Sequence, residues 1–268
     1  MSAATSADPA DSVFAVSVAP NGVATATFDR PPVNAVSLRV YQDLGRLVDR
    51  IEGDADIRVV VLRASAGARA WCGGADLNDF VGIDVAARKA RYDFINAQLP
   101  RFYRMDRPVV AAIEGAAIGI GMILAALCDL RVAAEDATFA CPEIDYGLVA
   151  GGAAIFKMVG MPEAMIREML FTGGRYTAAE LAPTGFFNRV VPRADVVSVA
   201  LGLAERIATK SLPAIRARKI ASAQLDGVGW EQAYLDAQAL TAQLTAGRDG
   251  AEGVAAFLDK RQPAYRDR

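Results

Sequence analysis

The sequence predicts an α/β core to about residue 190, followed by a helical C-terminal region. Three observations carry this. Residues 59–62 and 109–113 are continuous apolar runs of strand length, the pattern of strands buried on both faces. Helical periodicity occupies residues 85–105 between them, and strands alternating with helices indicate a layered α/β architecture. From Thr177 onward the pattern is mostly helical.

Each element follows in order. Residues 13–19 and 23–28 are β-rich and flank Pro20, Asn21 and Gly22, so they read as a hairpin. Arg30, Pro31 and Pro32 stop the second strand. Ser37 is placed to cap a helix whose apolar residues Leu38, Tyr41, Leu44, Leu47, Val48 and Ile51 recur at three or four. Its other face carries Gln42, Asp43, Arg46 and Asp49. The stretch 108–128 reads as a buried strand and a buried helix, because Glu114 interrupts it and the remainder falls short of the ~18 residues of a membrane span. Thr177-Ala178-Ala179-Glu180 matches a capping box, and helices are expected over 194–209, 213–225, 230–245 and 251–260. The expected organisation is therefore a flexible tail over 1–12, a core over 13–190 and a helical region over 191–268 packed on the core or on a neighbouring subunit.

Composition restricts the chemistry. The chain of 268 residues is 53% hydrophobic and 22% charged, enough to bury a substantial core, and it contains no histidine. Serine–histidine triads, cysteine–histidine dyads and histidine-ligated zinc sites are excluded. Lysine and arginine number 29 against 31 acidic residues, leaving no excess charge for a nucleic-acid backbone or an anionic membrane, so a small-molecule partner is expected. Cys72, Cys128 and Cys141 make no CxxC pair and read as packing residues in a reducing compartment. With no secretory signal in the small, polar first dozen residues, the expected location is cytoplasmic.

Glycines cluster in Trp71-Cys72-Gly73-Gly74-Ala75-Asp76-Leu77 and at Gly115, Gly119 and Gly121. Each cluster follows a buried strand, and the second opens a helix. Such turns bring backbone N–H groups close to a ligand, and a helix N-terminus favours developing negative charge there. GxGxxG, GxxxxGK[ST] and GxSxG are absent, so the dinucleotide, phosphate-loop and nucleophile-elbow readings lose their support. A carboxylate follows downstream: Glu143, in Cys141-Pro142-Glu143-Ile144-Asp145, between a short strand and Gly151-Gly152. Asp145, two residues on along an extended segment, would point to the opposite face.

Taken in order, these segments resemble the crotonase superfamily, the enoyl-CoA hydratases and isomerases. Phe28-Asp29-Arg30-Pro31-Pro32-Val33-Asn34-Ala35 is similar to the family's N-R-P-x-x-N-A segment, and the first glycine cluster to its F-x-x-G-A-D-L. The stretch from Pro108 to Cys128-Asp129, then Pro142-Glu143, Phe171-Thr172-Gly173-Gly174 and Phe257-Leu258-Asp259-Lys260-Arg261 match in turn. The resemblance implies a spiral of ββα units, C-terminal helices that build a homo-trimer or dimer of trimers, and an acyl-CoA thioester substrate. Coenzyme A enters as part of the substrate, with no separate cofactor and no metal. Carried over by position, the Ala75 and Ile120 N–H groups polarise the thioester carbonyl, a contribution of about 3–4 kcal/mol per donor in comparable sites. Ala35, Val36, Gly73, Ala75, Asp76, Leu77 and Asn78 contact the substrate or CoA, and Lys260 a CoA phosphate.

The sequence departs from the family at two positions. Hydratases of the family activate water with two glutamates; here the second is Glu143, and the first position holds Ile123, which can neither accept a hydrogen bond nor move a proton. Ile120 stands where Gly or Ala is usual, and its β-branched side chain restricts the local backbone. One carboxylate beside a polarised thioester suffices for double-bond isomerisation, which is therefore the expected reaction, ahead of hydration. A non-catalytic acyl-CoA binder is the alternative.

Overall fold

Antiparallel pairing of β1 (Phe14–Val18) with β2 (Val23–Phe28) opens the chain, and the rings of Phe14 and Phe28 stack 4.8 Å apart. The structure, a computed structural model, describes residues 12–225, 229–244 and 247–264. Apart from Ser12, the tail expected over residues 1–12 lies outside the described residues. Four repeats of one pattern follow the hairpin. β2 leads to α1 (Leu38–Gly53), and β3 (Val59–Ala64) to α2 (Val85–Arg104). Next, β4 (Val109–Ile113) passes through β5 (Ala117–Ile118) into α3 (Ile120–Leu127). The fourth repeat, β6 (Leu130–Ala134), passes through β7 (Thr138–Ala140) to α4 (Ala153–Met158) and α5 (Glu163–Thr172). Then come β8 (Arg175–Thr177), the single-turn α6 (Ala178–Leu181) and β9 (Arg189–Val191).

The long strands form one six-stranded sheet in the order β1-β2-β3-β4-β6-β9, parallel except for β1. Of its central members β4 is buried end to end and β3 at every residue but Arg63, as their Val- and Ala-rich sequences require. The short strands form a second layer. β5 and β7 pair in parallel and β7 with β8 antiparallel, while single parallel bridges, Cys72 with Ala117 and Val36 with Ala75, extend the row backward through the two earlier repeats. Each turn of the spiral thus sets its connecting loop against the loop of the turn before. This is the arrangement that brings the two glycine clusters together.

The helical region begins with α7 (Val196–Ala208), which packs on β2, β3, β4 and β6 through Val196, Ala200, Ala204 and Ala208, one residue per turn. The small side chains let the helix lie close to the sheet. α8 (Leu212–Leu225) is tied down by Lys219, 4% exposed, whose Nζ lies 2.7 Å from both carboxylate oxygens of Asp129; the Oδ2 atom also accepts the Val109 N–H at 2.8 Å. α9 (Trp230–Leu244) packs on α2 and α4, and α10 (Arg248–Leu258) on the turn that carries Glu143. Among the described residues no helix is long and apolar enough to cross a membrane, and the three cysteines are buried and free. Burial pushes the Cys72 and Cys128 thiols up to about 12, so neither is a nucleophile at neutral pH.

Two local expectations are corrected. Asp43 does not sit on the solvent face of α1: it is fully buried, accepts the Val13 N–H at 3.1 Å and pairs with Arg46 at 2.6 Å. Three residues from Val40 and four from Leu47, it shares their face and serves to fix the helix against the start of β1. The segment holding Glu143 is a 3₁₀ turn, Pro142–Tyr146, and not an extended strand end. Asp145 is exposed, but through the rotation of that turn rather than strand alternation.

Candidate active site

The first glycine loop is clamped by the motif residues before α1. Asn34, 1% exposed, holds φ 53° and places its amide within 3.2–3.3 Å of the carbonyls of Phe28, Ala70 and Trp71, while its Oδ1 accepts the Arg30 N–H at 2.7 Å. Backbone bonds complete the clamp: Gly73 N–H to Val33 at 2.8 Å, Val36 N–H to Gly74 at 2.7 Å and Asp76 N–H to Val36 at 3.0 Å. Arg30 reaches across to Asp76 at 2.7 Å and to the Ala35 carbonyl at 2.8 Å. Burial alone would raise Asp76; the hydrogen bonds from Arg30 and Asn78 outweigh it and hold the carboxyl below its usual range.

The second loop is zipped to the first. Cys72 donates to the Ala116 carbonyl and accepts from the Ile118 N–H, both at 3.0 Å. Contact is too close for side chains. A Cβ on Gly74, which sits at φ 99°, would lie 3.1 Å from the Ile118 carbonyl oxygen, and one on Gly121 would lie 2.5 Å from that of Cys72. Gly119 (φ 53°, ψ −117°) turns the chain from β5 into α3, so the Ile120 N–H belongs to the first turn of the helix. Neither the Ala75 nor the Ile120 N–H has a hydrogen-bond partner among the described residues, and both residues line one cleft.

Glu143 faces these donors. Pro142 opens its turn and Gly147, at φ 67°, closes it, with the Leu148 N–H bonded to the Glu143 carbonyl at 3.0 Å. Its carboxylate lies against Gly119: a Cβ there would stand 2.7 Å from Oε1. The Oε2 atom is buried without a hydrogen-bond partner among the described residues, and burial raises the carboxyl to about 7. Ile123, 3% exposed, is one helical turn past Ile120 and is at once a core residue and part of the lining of the same cleft. Glu143 is the only acidic residue among the described residues that line the cleft.

Of the sequence-predicted residues, Gly73, Ala75, Leu77, Ile120 and Glu143 therefore meet at the cleft. Ala35, Val36, Asp76, Asn78 and Lys260 do not line it. Val36 is buried behind the first loop, Asp76 caps the turn Leu77–Phe80, and Lys260 is exposed just past α10 at φ 54°. The individual residues of the back wall belong to no motif in the sequence: Tyr92 and the cations Arg88 and Arg91 come from α2, Tyr234 and Gln238 from α9. Only Gly151 gave a signal, since its missing side chain makes room for the Tyr234 ring, 2.5 Å from where a Cβ would stand.

The sequence profile described as enoyl-CoA hydratase/isomerase matches residues 18–268. A 2,3-dehydroadipyl-CoA hydratase of Escherichia coli (strain K12) is 31% identical over 248 residues, covering 90% of this chain and 94% of that protein. A carnitinyl-CoA dehydratase of Proteus mirabilis (strain HI4320) is 30% identical over 246 residues, with 90% and 93% covered. Among solved structures, a carnitinyl-CoA hydratase from Mycobacterium avium superposes with a TM-score of 0.77 at 30% identity, covering 96% of this chain and 99% of that one.

Proposed function

The chain belongs to the enoyl-CoA hydratase/isomerase family, and from that premise we propose that it shifts the double bond of an acyl-CoA thioester, with Glu143 as its sole acid and base. The observation that carries the reading is the meeting of one carboxylate with two unpartnered N–H donors in a cleft where Glu143 is the only acidic residue among the described lining residues, Ile123 standing where a second carboxylate would be needed. The thioester oxygen of a 3-enoyl-CoA sits between the Ala75 and Ile120 N–H groups. Glu143 takes a proton from C2, the electron pair moves into a dienolate whose oxygen the two donors stabilise, and the same proton returns at C4. The C2–H bond breaks, a C4–H bond forms, and the product is the 2-enoyl-CoA.

Hydration needs a second group to hold and activate water against C3. Ile123 offers none at its position, which favours proton return over water attack. Relatives named as hydratases and dehydratases make slow hydration the reaction to compare against. Lys260 near a CoA phosphate, the first loop along pantetheine and a homo-trimeric or hexameric assembly complete the proposal.

The test is a spectrophotometric assay on matched 2-enoyl- and 3-enoyl-CoA panels across pH. The base form of Glu143 is the ionised one and burial raises the group to about 7, so kcat/KM for isomerisation rises with pH through a midpoint of about 7. Conversion of 3-enoyl substrates faster than hydration of 2-enoyl substrates supports the reading. Affinity without conversion of any substrate makes the protein a binder instead.

A further inference from the structure

The back wall of the cleft holds a cation without a counter-charge. Arg88, on α2, is 3% exposed and also lines an adjoining hollow with Val81, Leu148, Val254, Leu258 and Asp259, the last of which pairs with Arg261 at 3.5 Å. Its guanidinium carbon lies 4.2 Å from the centroid of Phe80 and 5.6 Å from that of Tyr92, and both Nε and Nη2 are 3.3 Å from the Tyr92 hydroxyl oxygen. No carboxylate pairs with it among the described residues. Its neighbour Arg91 differs: that guanidinium shares the Phe80 ring at 4.9 Å but pairs through Nη1 with Asp79 at 2.9 Å, and its buried Nε has no partner among the described residues. Asp79 thus offsets Arg91, while Arg88 has no ion-pair partner among the described residues.

A buried guanidinium without an acidic partner is costly. Arginine cannot shed its proton, so burial is not relieved by neutralisation, and two long bonds to one phenol oxygen leave most of its donors unused. A planar fork of donors backed by aromatic rings matches a carboxylate. Glu143 does not supply it, since no ion pair joins the two. The rest of this wall, Phe80, Ile95 and Leu148, is apolar and accommodates methylenes.

We propose that the acyl chain of the substrate ends in a carboxylate that Arg88 receives, with the Arg91 Nε–H beside it, so that the enzyme is selective for thioesters of α,ω-diacids. The inference rests on the proposed acyl-CoA reading and specifies its substrate class. Arg88 then sets specificity at the far end of the chain, while Ala75, Ile120 and Glu143 act at the thioester.

Calorimetric binding of saturated thioesters tests this independently of turnover. A series of CoA monothioesters of α,ω-diacids, of increasing chain length, is compared with monoacid thioesters of the same lengths. At the best-fitting length the wild-type protein is expected to bind the diacid thioester about tenfold or more tightly. Arg88→Met, which keeps an apolar contact to Phe80, is expected to abolish that preference, and Arg88→Lys to retain part of it. Equal or tighter binding of the monoacid thioester at every length overturns the proposal. So does an equal loss of affinity for free CoA in Arg88→Met, which would make Arg88 a phosphate contact. Failure of the underlying reading looks different: the diacid preference is present, but neither 3-enoyl series is isomerised.

Discussion

Glu143→Gln is expected to lower isomerisation turnover by about 10²–10⁴-fold while leaving acyl-CoA affinity nearly unchanged, the size of effect that follows when a positioned proton carrier is lost. The amide matches the carboxyl in shape, so it occupies the same space against Gly119. It also mimics the neutral form that burial favours, since the carboxyl is raised to about 7. Above that pH the wild-type carboxylate is a buried charge, and the variant carries none. Its thermal unfolding midpoint is therefore expected to equal or exceed that of the wild type at pH 8. Turnover and binding measured on the same preparation check the prediction, and undiminished turnover of every enoyl-CoA tried removes Glu143 from the chemistry.

Ile120→Pro is expected to reduce kcat by about 10²–10³-fold, because proline deletes one of the two N–H donors that face the cleft. Backbone donors are ordinarily out of reach of mutagenesis. Here the donor is at the first position of α3, where proline's fixed φ suits a helix and the missing N–H breaks no intrahelical bond. Ile120→Ala is the necessary partner variant. It removes more side-chain bulk from the cleft than proline does but keeps the donor, so it is expected to stay within about tenfold of the wild type. Equal losses in the two variants would assign the effect to pocket shape instead.

The features legible in the sequence were those governed by local pattern. The apolar run of β4 ends where its strand ends, at Ile113, and Thr177 with Glu180 forms the expected capping box, with Oγ1 accepting the Glu180 N–H at 3.2 Å and the Glu180 carboxylate accepting the Thr177 N–H at 2.7 Å. Ser37 marks the start of α1, although its hydroxyl makes no capping bond. The two glycine loops were readable because close backbone approach admits only glycine. Their mutual contact was not, because the bridges from Val36 to Ala75 and from Cys72 to Ala117 arise from the winding of the spiral.

Short elements were harder for the same reason. β5 has two residues and β7, β8 and β9 three each, too few to show a period, and tertiary pairing alone makes them strands. Asp43 looked like a surface acid because residue type outweighed position; only its bond to the Val13 N–H explains its burial. The back wall was illegible in principle. Arg88, Tyr92 and Tyr234 come from helices well over a hundred residues apart, and nothing in a linear pattern says that a helical arginine lies buried against Phe80 rather than in solvent.

The central claim is that a single carboxylate carries a proton from one carbon of the acyl chain to another with no water taking part. Its most direct test is NMR analysis of the product formed in ordinary water from a 3-enoyl-CoA deuterated at C2. The claim predicts a 2-enoyl-CoA bearing deuterium at C4, because Glu143 returns the isotope it removed from within a buried site. A 3-hydroxyacyl-CoA as the main product, with no deuterium at C4, would contradict it.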